Sequence, residues 1–131
     1  MIFSILIYGS PTNSLSVESA YRFTKTALAA GHTIHRVFFY GESVYAASSL
    51  SVTPRDEVDC FQAWKELAET HDLDVVICIA AALKRGVLDP PEAKRHEKLA
   101  YNLAPPFSLS GLGQLTDAAL TSDRLITFGS A

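Results

Sequence analysis

Cys60 and Cys78 are the two thiols of the chain and stand 18 positions apart. No Cys-x-x-Cys spacing links them, and no nearby histidine pair completes a zinc set. In a reducing compartment they are expected to be free thiols rather than a disulfide. Cys78 lies in the apolar run Val75 to Ile79, which leads into Ala80-Ala81-Ala82-Leu83-Lys84-Arg85. If that run is a strand and the next segment a helix, the free N–H groups and positive end of the helix face Cys78 and favour a thiolate. The small side chains of Ala80 to Ala82 leave room for an extra sulfur atom and a docking partner. Lys84 and Arg85 add positive potential if their side chains fold back. The same position also reads as an inert core thiol, because cysteine is among the most buried residue types. Cys60, beside Phe61 in a helical pattern, reads as packing or interface.

The other chemistry-bearing residues offer less. His32 and His35 flank the start of the second strand, His71 falls at a helix C-terminus where a cation is favourable, and His96 sits in a charged helix. No pair has metal spacing, and without a placed base a Cys-His hydrolase is a poor fit. Neither Gly-x-x-x-x-Gly-Lys-Ser/Thr nor Gly-x-Gly-x-x-Gly occurs. Gly9-Ser10-Pro11-Thr12-Asn13-Ser14 has the character of a flavin-phosphate loop, but it reads more simply as a helix cap. Ser110-Gly111-Leu112-Gly113 is a strand-to-helix turn whose glycines are explained by tight backbone approach.

These residues are positioned by alternating strand and helix patterns. Ile2 to Tyr8 is a nearly continuous apolar run, as expected of a strand covered on both faces. Ser14 or Ser16 caps the next helix, where Val17, Ala20, Tyr21, Ala27 and Leu28 recur at helical spacing and Gly31 is the stop. A second strand spans His35 to Tyr40, and residues 41–54 form a long loop with a short helical turn around Val44 to Ala47. A helix entered through Thr53-Pro54, Asp56 and Glu57 carries the stripe Val58, Phe61, Trp64, Leu67 and Ala68. The third strand, Val75 to Ile79, is expected to be central. A short helix then ends by Arg85-Gly86, and another falls near Glu92–Ala100. Phe107 to Ser110 is a short strand, a helix beyond Gly111 shows Leu112, Leu115 and Ala119 on one face, and Leu125 to Phe128 closes as the last strand.

Five strands separated by helices predict an α/β, flavodoxin-like three-layer domain spanning residues 1–131, with a mainly parallel sheet and helices on both faces. The expected strand order is 2-1-3-4-5. Ligands gather beyond the carboxyl ends of such strands at the switch in order. With this order the crevice lies between strands one and three, beside Gly9-Ser10 and Cys78 to Ala80.

Composition agrees with that architecture. The 131 residues are 48% hydrophobic and 19% charged, with a net charge of −3. That excludes disorder, and the longest apolar stretch, Val75 to Leu83, is far short of the roughly 20 residues of a membrane span. The N-terminus has no basic region ahead of an apolar one and no small-residue cleavage site, so a cytoplasmic location is expected. An acidic balance gives no electrostatic case for direct nucleic-acid binding. Residues 84–98, however, hold five Lys/Arg against three Asp/Glu, leaving −5 on the remainder.

Several segments together resemble the DsrE/TusD sulfurtransferase family. They are Val37-Phe38-Phe39-Tyr40, Val44-Tyr45, Cys78 through Gly86, and Leu109-Ser110-Gly111-Leu112-Gly113-Gln114-Leu115. Ser19 to Phe23 and Ala63-Trp64 to Leu67 match in position as well, so the resemblance covers essentially the whole chain. One departure is the absence of an asparagine after Val44-Tyr45.

The resemblance implies a flavodoxin-like fold and a persulfide carried on Cys78, with no metal or organic cofactor. Around it, Ala80, Ala81, Lys84, Arg85, Tyr40 and Gly111 are the residues expected to shape the site or meet a partner. The resemblance also implies TusB- and TusC-like subunits in a heterohexamer, a TusA-like sulfur donor and a TusE-like acceptor. The relay would end in 2-thiolation of a tRNA wobble uridine. The alternatives are a DsrE-type subunit in sulfur oxidation, a non-catalytic interaction subunit in which Cys78 is core, and a flavin- or nucleotide-binding module.

Overall fold

The computed structural model describes residues 1–129. Strands β1 (Ile2–Ile7), β2 (Thr33–Phe39), β3 (Val75–Cys78), β4 (Phe107–Ser110) and β5 (Arg124–Phe128) form one sheet in which every neighbouring pair is parallel. Helices α1 (Ser16–Ala29), α2 (Cys60–His71), α3 (Ile79–Lys84), α4 (Pro90–Arg95) and α5 (Gly113–Thr121) connect them, and a 3-10 segment, Gly41–Ala47, follows β2. The expected α/β class and five-stranded parallel sheet are what the chain forms.

Aromatic side chains join α1 and α2 to one face of the sheet. Phe3 packs edge-on against Phe23, and Phe61 lies against Phe107. Trp64 is fully buried between Phe39 and Tyr21, with ring centroids 5.4 and 5.9 Å away, and its indole N–H donates to the Val17 carbonyl at 3.2 Å. On the opposite face α5 lies over β2. Arg36 donates to the Gln114 carbonyl and to Asp117, and Ser4 bonds Ser122 just after the helix.

The strand order departs from 2-1-3-4-5. It is β4-β3-β2-β1-β5, so β2 rather than β3 is central. The steps from β1 to β4 all run one way across the sheet, and the chain then returns across three strands to place β5 beside β1. Because such crossovers are right-handed, the first three connections share one face and the last takes the other. The exits of β3 and β4 therefore diverge. The switch lies between these two strands, not between β1 and β3, which do not touch in the sheet. Val37, Phe38 and Phe39 explain why β2 can be central, since each is fully buried.

Local boundaries moved for identifiable reasons. Neither Ser14 nor Ser16 is the N-cap of α1; that position is Leu15, and the Ser14 hydroxyl bonds the Ser10 carbonyl and Ser16 instead. Asp59 caps α2 through the Gln62 N–H, which leaves Val58 outside the helix and half-exposed, and makes Cys60 its first residue. Ile79 begins α3 rather than ending β3. The helix expected near Glu92–Ala100 is α4, Pro90–Arg95, where Asp89 caps the Glu92 N–H and the two prolines take the first turn. In α5 the one buried residue is Ala118, and Ala119 faces out.

Candidate functional site

Cys78 stands at the junction of β3 and α3. It pairs in register with Ser110, so the chain leaving β4 passes beside it through Gly111 and Leu112. Its backbone, φ −57° and ψ 118°, turns directly from strand into helix. α3 then stops after six residues. The Val87 N–H bonds the Ala82 carbonyl and the Gly86 N–H bonds the Leu83 carbonyl, with Gly86 at φ +73°. This six-to-one closure around a left-handed glycine reverses the chain, and so keeps Lys84 and Arg85 within two turns of Cys78.

A pocket of about 440 Å³ opens above this junction. It is lined by Tyr40, Gly41, Cys78, Ile79, Ala80, Ala81, Lys84, Arg85, Gly111 and Leu112. All seven residues singled out in the sequence thus border one cavity. Cys78 itself is only 2% exposed and forms part of the floor. An adjoining apolar groove of about 580 Å³ shares Tyr40, Gly41, Arg85 and Leu112 and continues over Leu6, Tyr8 and Leu115.

The two cations have different surroundings. The Arg85 guanidinium does not fold toward the thiol; it donates to Glu42 Oε1 at 3.1 and 3.3 Å and to the Ala81 carbonyl at 3.0 Å. It therefore clamps α3 to the 3-10 segment across the pocket mouth. Lys84 is exposed, and among the described residues its side chain makes no ion pair. At Gly111 a Cβ would meet nothing within 4 Å, so close backbone approach is not what the glycine answers here; its missing side chain leaves the mouth open.

Residues outside the sequence reading complete the walls. Gly41, Ile79 and Leu112 line the pocket, and Glu42 orients Arg85. Ser43 is fully buried; its hydroxyl accepts from the Tyr40 N–H and lies 2.7 Å from the Ile7 carbonyl. It thereby ties the ends of β1 and β2 to the segment that carries Tyr40 and Gly41. The signal was a serine three residues beyond Tyr40, the spacing of a hydroxyl-capped turn. Gly41, at φ +60°, is the backbone reversal this turn requires.

The remaining candidates fall elsewhere. Cys60 is partly buried beside another cavity, and burial first, then Glu18 and Asp59, pushes its thiol pKa up. In the 9–14 loop the Ser10 hydroxyl accepts from the Thr12 and Asn13 N–H groups, so its polar atoms bond the loop itself. Gly9 is demanded by packing, since a Cβ there would overlap the Ser16 hydroxyl. His35 bonds Asp117 on α5, and no cluster of three or more His, Cys, Asp or Glu suited to a metal occurs among the described residues.

The sequence and the parallel α/β fold are matched by known proteins. The chain belongs to the DsrE/DsrF-like family, whose model matches residues 1–128. A Pseudomonas aeruginosa protein named sulfurtransferase TusD homolog is 49% identical over 129 residues, covering 98% of both chains. A protein of Allochromatium vinosum named DsrE is 46% identical over 129 residues, covering 98% of this chain and 99% of that one. The crystal structure of the YchN protein of E. coli superposes with a TM-score of 0.77 at 18% identity, covering 98% of this chain and 99% of that one, which shows a shared fold.

Proposed function

We propose that the chain is a sulfurtransferase that carries sulfur as a persulfide on Cys78. The observation that carries this reading is Cys78 on the floor of an open pocket whose lining includes the small residues Ala80, Ala81, Gly41 and Gly111. A sulfur–sulfur bond is about 2 Å long, so an outer sulfur on Cys78 would extend from the packed floor into that volume. The deprotonated Cys78 attacks the outer sulfur of a donor persulfide. The new bond forms at Cys78 Sγ, the donor's S–S bond breaks, and its electron pair leaves on the donor thiolate. Transfer onward repeats the exchange with Cys78 as leaving group, so no external oxidant is consumed. Cys78 is the N-cap of α3, so the first-turn N–H groups, with their partial positive charge, follow it directly in the chain.

In its finer form, the relay accepts sulfur from a TusA-like carrier and passes it to a TusE-like protein for 2-thiolation of a tRNA wobble uridine. TusB- and TusC-like subunits complete a heterohexamer in the cytoplasm. The high identity to a TusD-named relative supports this pathway, and two separate free thiols suit a reducing compartment. Similar identity to the DsrE-named protein supports the same chemistry in sulfur oxidation as the second pathway. Co-purification from the native host, with the partners identified by mass, decides between them.

The test of the chemistry is intact and peptide mass after incubation with a persulfide donor. One added sulfur atom located on Cys78, and absent in Cys78→Ser, is expected; sulfur retained in Cys78→Ser overturns the assignment. The 2% exposure of Cys78 favours one rival, a scaffolding subunit with a core thiol. Labelling of Cys78 in the folded protein by a small alkylating agent argues for the open pocket, and labelling only on unfolding for the rival.

A further inference from the structure

A second trough lies beside the Cys78 pocket. It encloses about 560 Å³ and is lined by Leu83, Lys84, Gly86, Leu88, His96 and Lys98, and Lys84 borders both cavities. Leu83 and Leu88 supply a half-buried apolar floor, while Lys84, His96 and Lys98 stand exposed at the rim. Two of the three acids of this region are engaged locally, and the third, Glu97, is exposed beside Lys98. Asp89 spends a carboxylate oxygen on capping α4, and Glu92 is buried with His96 Nε2 at 3.3 Å and Arg95 at 3.5 Å. Among the described residues the side chains of Lys84 and Lys98 make no ion pair. The exposed lysines that make no ion pair among the described residues, Lys84, Lys94 and Lys98, therefore outnumber the exposed acid Glu97 on this face, on a chain of net charge −3.

Resting on the persulfide reading of Cys78, we infer that this trough docks an acidic segment, with an apolar residue, of the protein that exchanges sulfur with Cys78. Carboxylates meet Lys84, Lys98 and His96, the apolar side chain covers Leu83 and Leu88, and continuity through Lys84 delivers the partner's thiol to the pocket. Complementary charge of this kind steers encounter and sets register. The docked thiolate attacks the outer sulfur of the Cys78 persulfide. A new S–S bond forms on the partner, the bond to Cys78 Sγ breaks, and the electron pair remains on Cys78. RNA suits the trough less well, since it holds no Phe, Tyr or Trp for base stacking and the remainder of the chain is acidic.

The probe is a fluorescein-labelled synthetic peptide with glutamates flanking a leucine and a cysteine, compared with its lysine counterpart. With sulfur-loaded full-length protein, the acidic peptide should accept sulfur at least ~10-fold faster at low salt, each rate divided by that for β-mercaptoethanol. The advantage should shrink severalfold at about 0.3 M salt, where screening is strong. Lys98→Glu should remove most of it and Lys98→Arg should keep it. The same peptides with serine for cysteine report docking by anisotropy with no sulfur chemistry. Failure to load sulfur therefore overturns the persulfide reading alone. Equal binding of acidic and basic peptides, or acidic-peptide binding indifferent to Lys98→Glu, overturns the trough. Binding of a single-stranded RNA oligomer without binding of the acidic peptide overturns it in favour of nucleic acid.

Discussion

The two cysteines carry the same functional group in opposite settings. Cys78 meets an open pocket lined in part by small residues, whereas the Cys60 thiol pKa is pushed up by burial and by the carboxylates of Glu18 and Asp59. Cys60 should therefore stay a thiol through neutral pH, and its alkylation should accelerate only above the ordinary cysteine value of about 8.5. Peptide-resolved iodoacetamide labelling between pH 6 and 10 checks this, and fast Cys60 labelling at pH 7 would contradict it. Cys60→Ala is expected to load sulfur as the parent protein does. Cys78 and its neighbours were legible because strand end, helix start and small residues are written in consecutive positions. The clamp made by Arg85 was not legible, because its partner, Glu42, lies 43 residues away in sequence.

At the scale of elements, Trp64 and Arg36 hold the layers to the sheet. Trp64 is fully buried with its indole N–H satisfied, so Trp64→Ala should cost about 3–5 kcal/mol in denaturant unfolding. Trp64→Phe should still cost about 1–3 kcal/mol through the lost indole hydrogen bond and the volume the smaller ring leaves empty. On the other face, hydrogen bonds from His35 and then Arg36 hold Asp117 below its ordinary pKa. A carboxylate with a lowered folded-state pKa contributes stability above its unfolded value, near about 3.9, and loses it as pH falls through the folded value. Unfolding midpoints followed from pH 6 to 2.5 should show this acid-side loss, and Asp117→Asn should remove that portion of it. An unchanged acid limb in Asp117→Asn would show that other carboxylates govern it. The helix stripe of α2 and the Gly31 and Gly86 stops were readable from spacing. The caps were not, because Leu15 caps α1 without a side-chain bond while nearby serines bond one another.

Across the whole molecule, burial is uneven. β1, β2 and β3 hold most of the largest fully buried side chains, whereas β5 has none and α5 buries only Ala118. Native-state hydrogen exchange should therefore show β5 and α5 opening at lower free energy than β2 and β3. Uniform protection across the sheet would contradict this. The unevenness bears on the site, because Leu112, just ahead of α5, forms one wall of the Cys78 pocket.

The sequence by itself determined the α/β class, because near-continuous apolar runs separated by 3.6-residue periodicity have no other economical burial. It also determined that Cys78 would stand at a strand end facing a helix start, since that depends only on residues 75–85. Strand order was decided by the tertiary structure. Periodicity records how much of each strand is covered, not which neighbour covers it, and β2 carried as strong a claim to the centre as β3. The pocket is built from the exits of β2, β3 and β4, whose residues Gly41, Cys78 and Gly111 become neighbours only once the sheet has aligned those strands side by side.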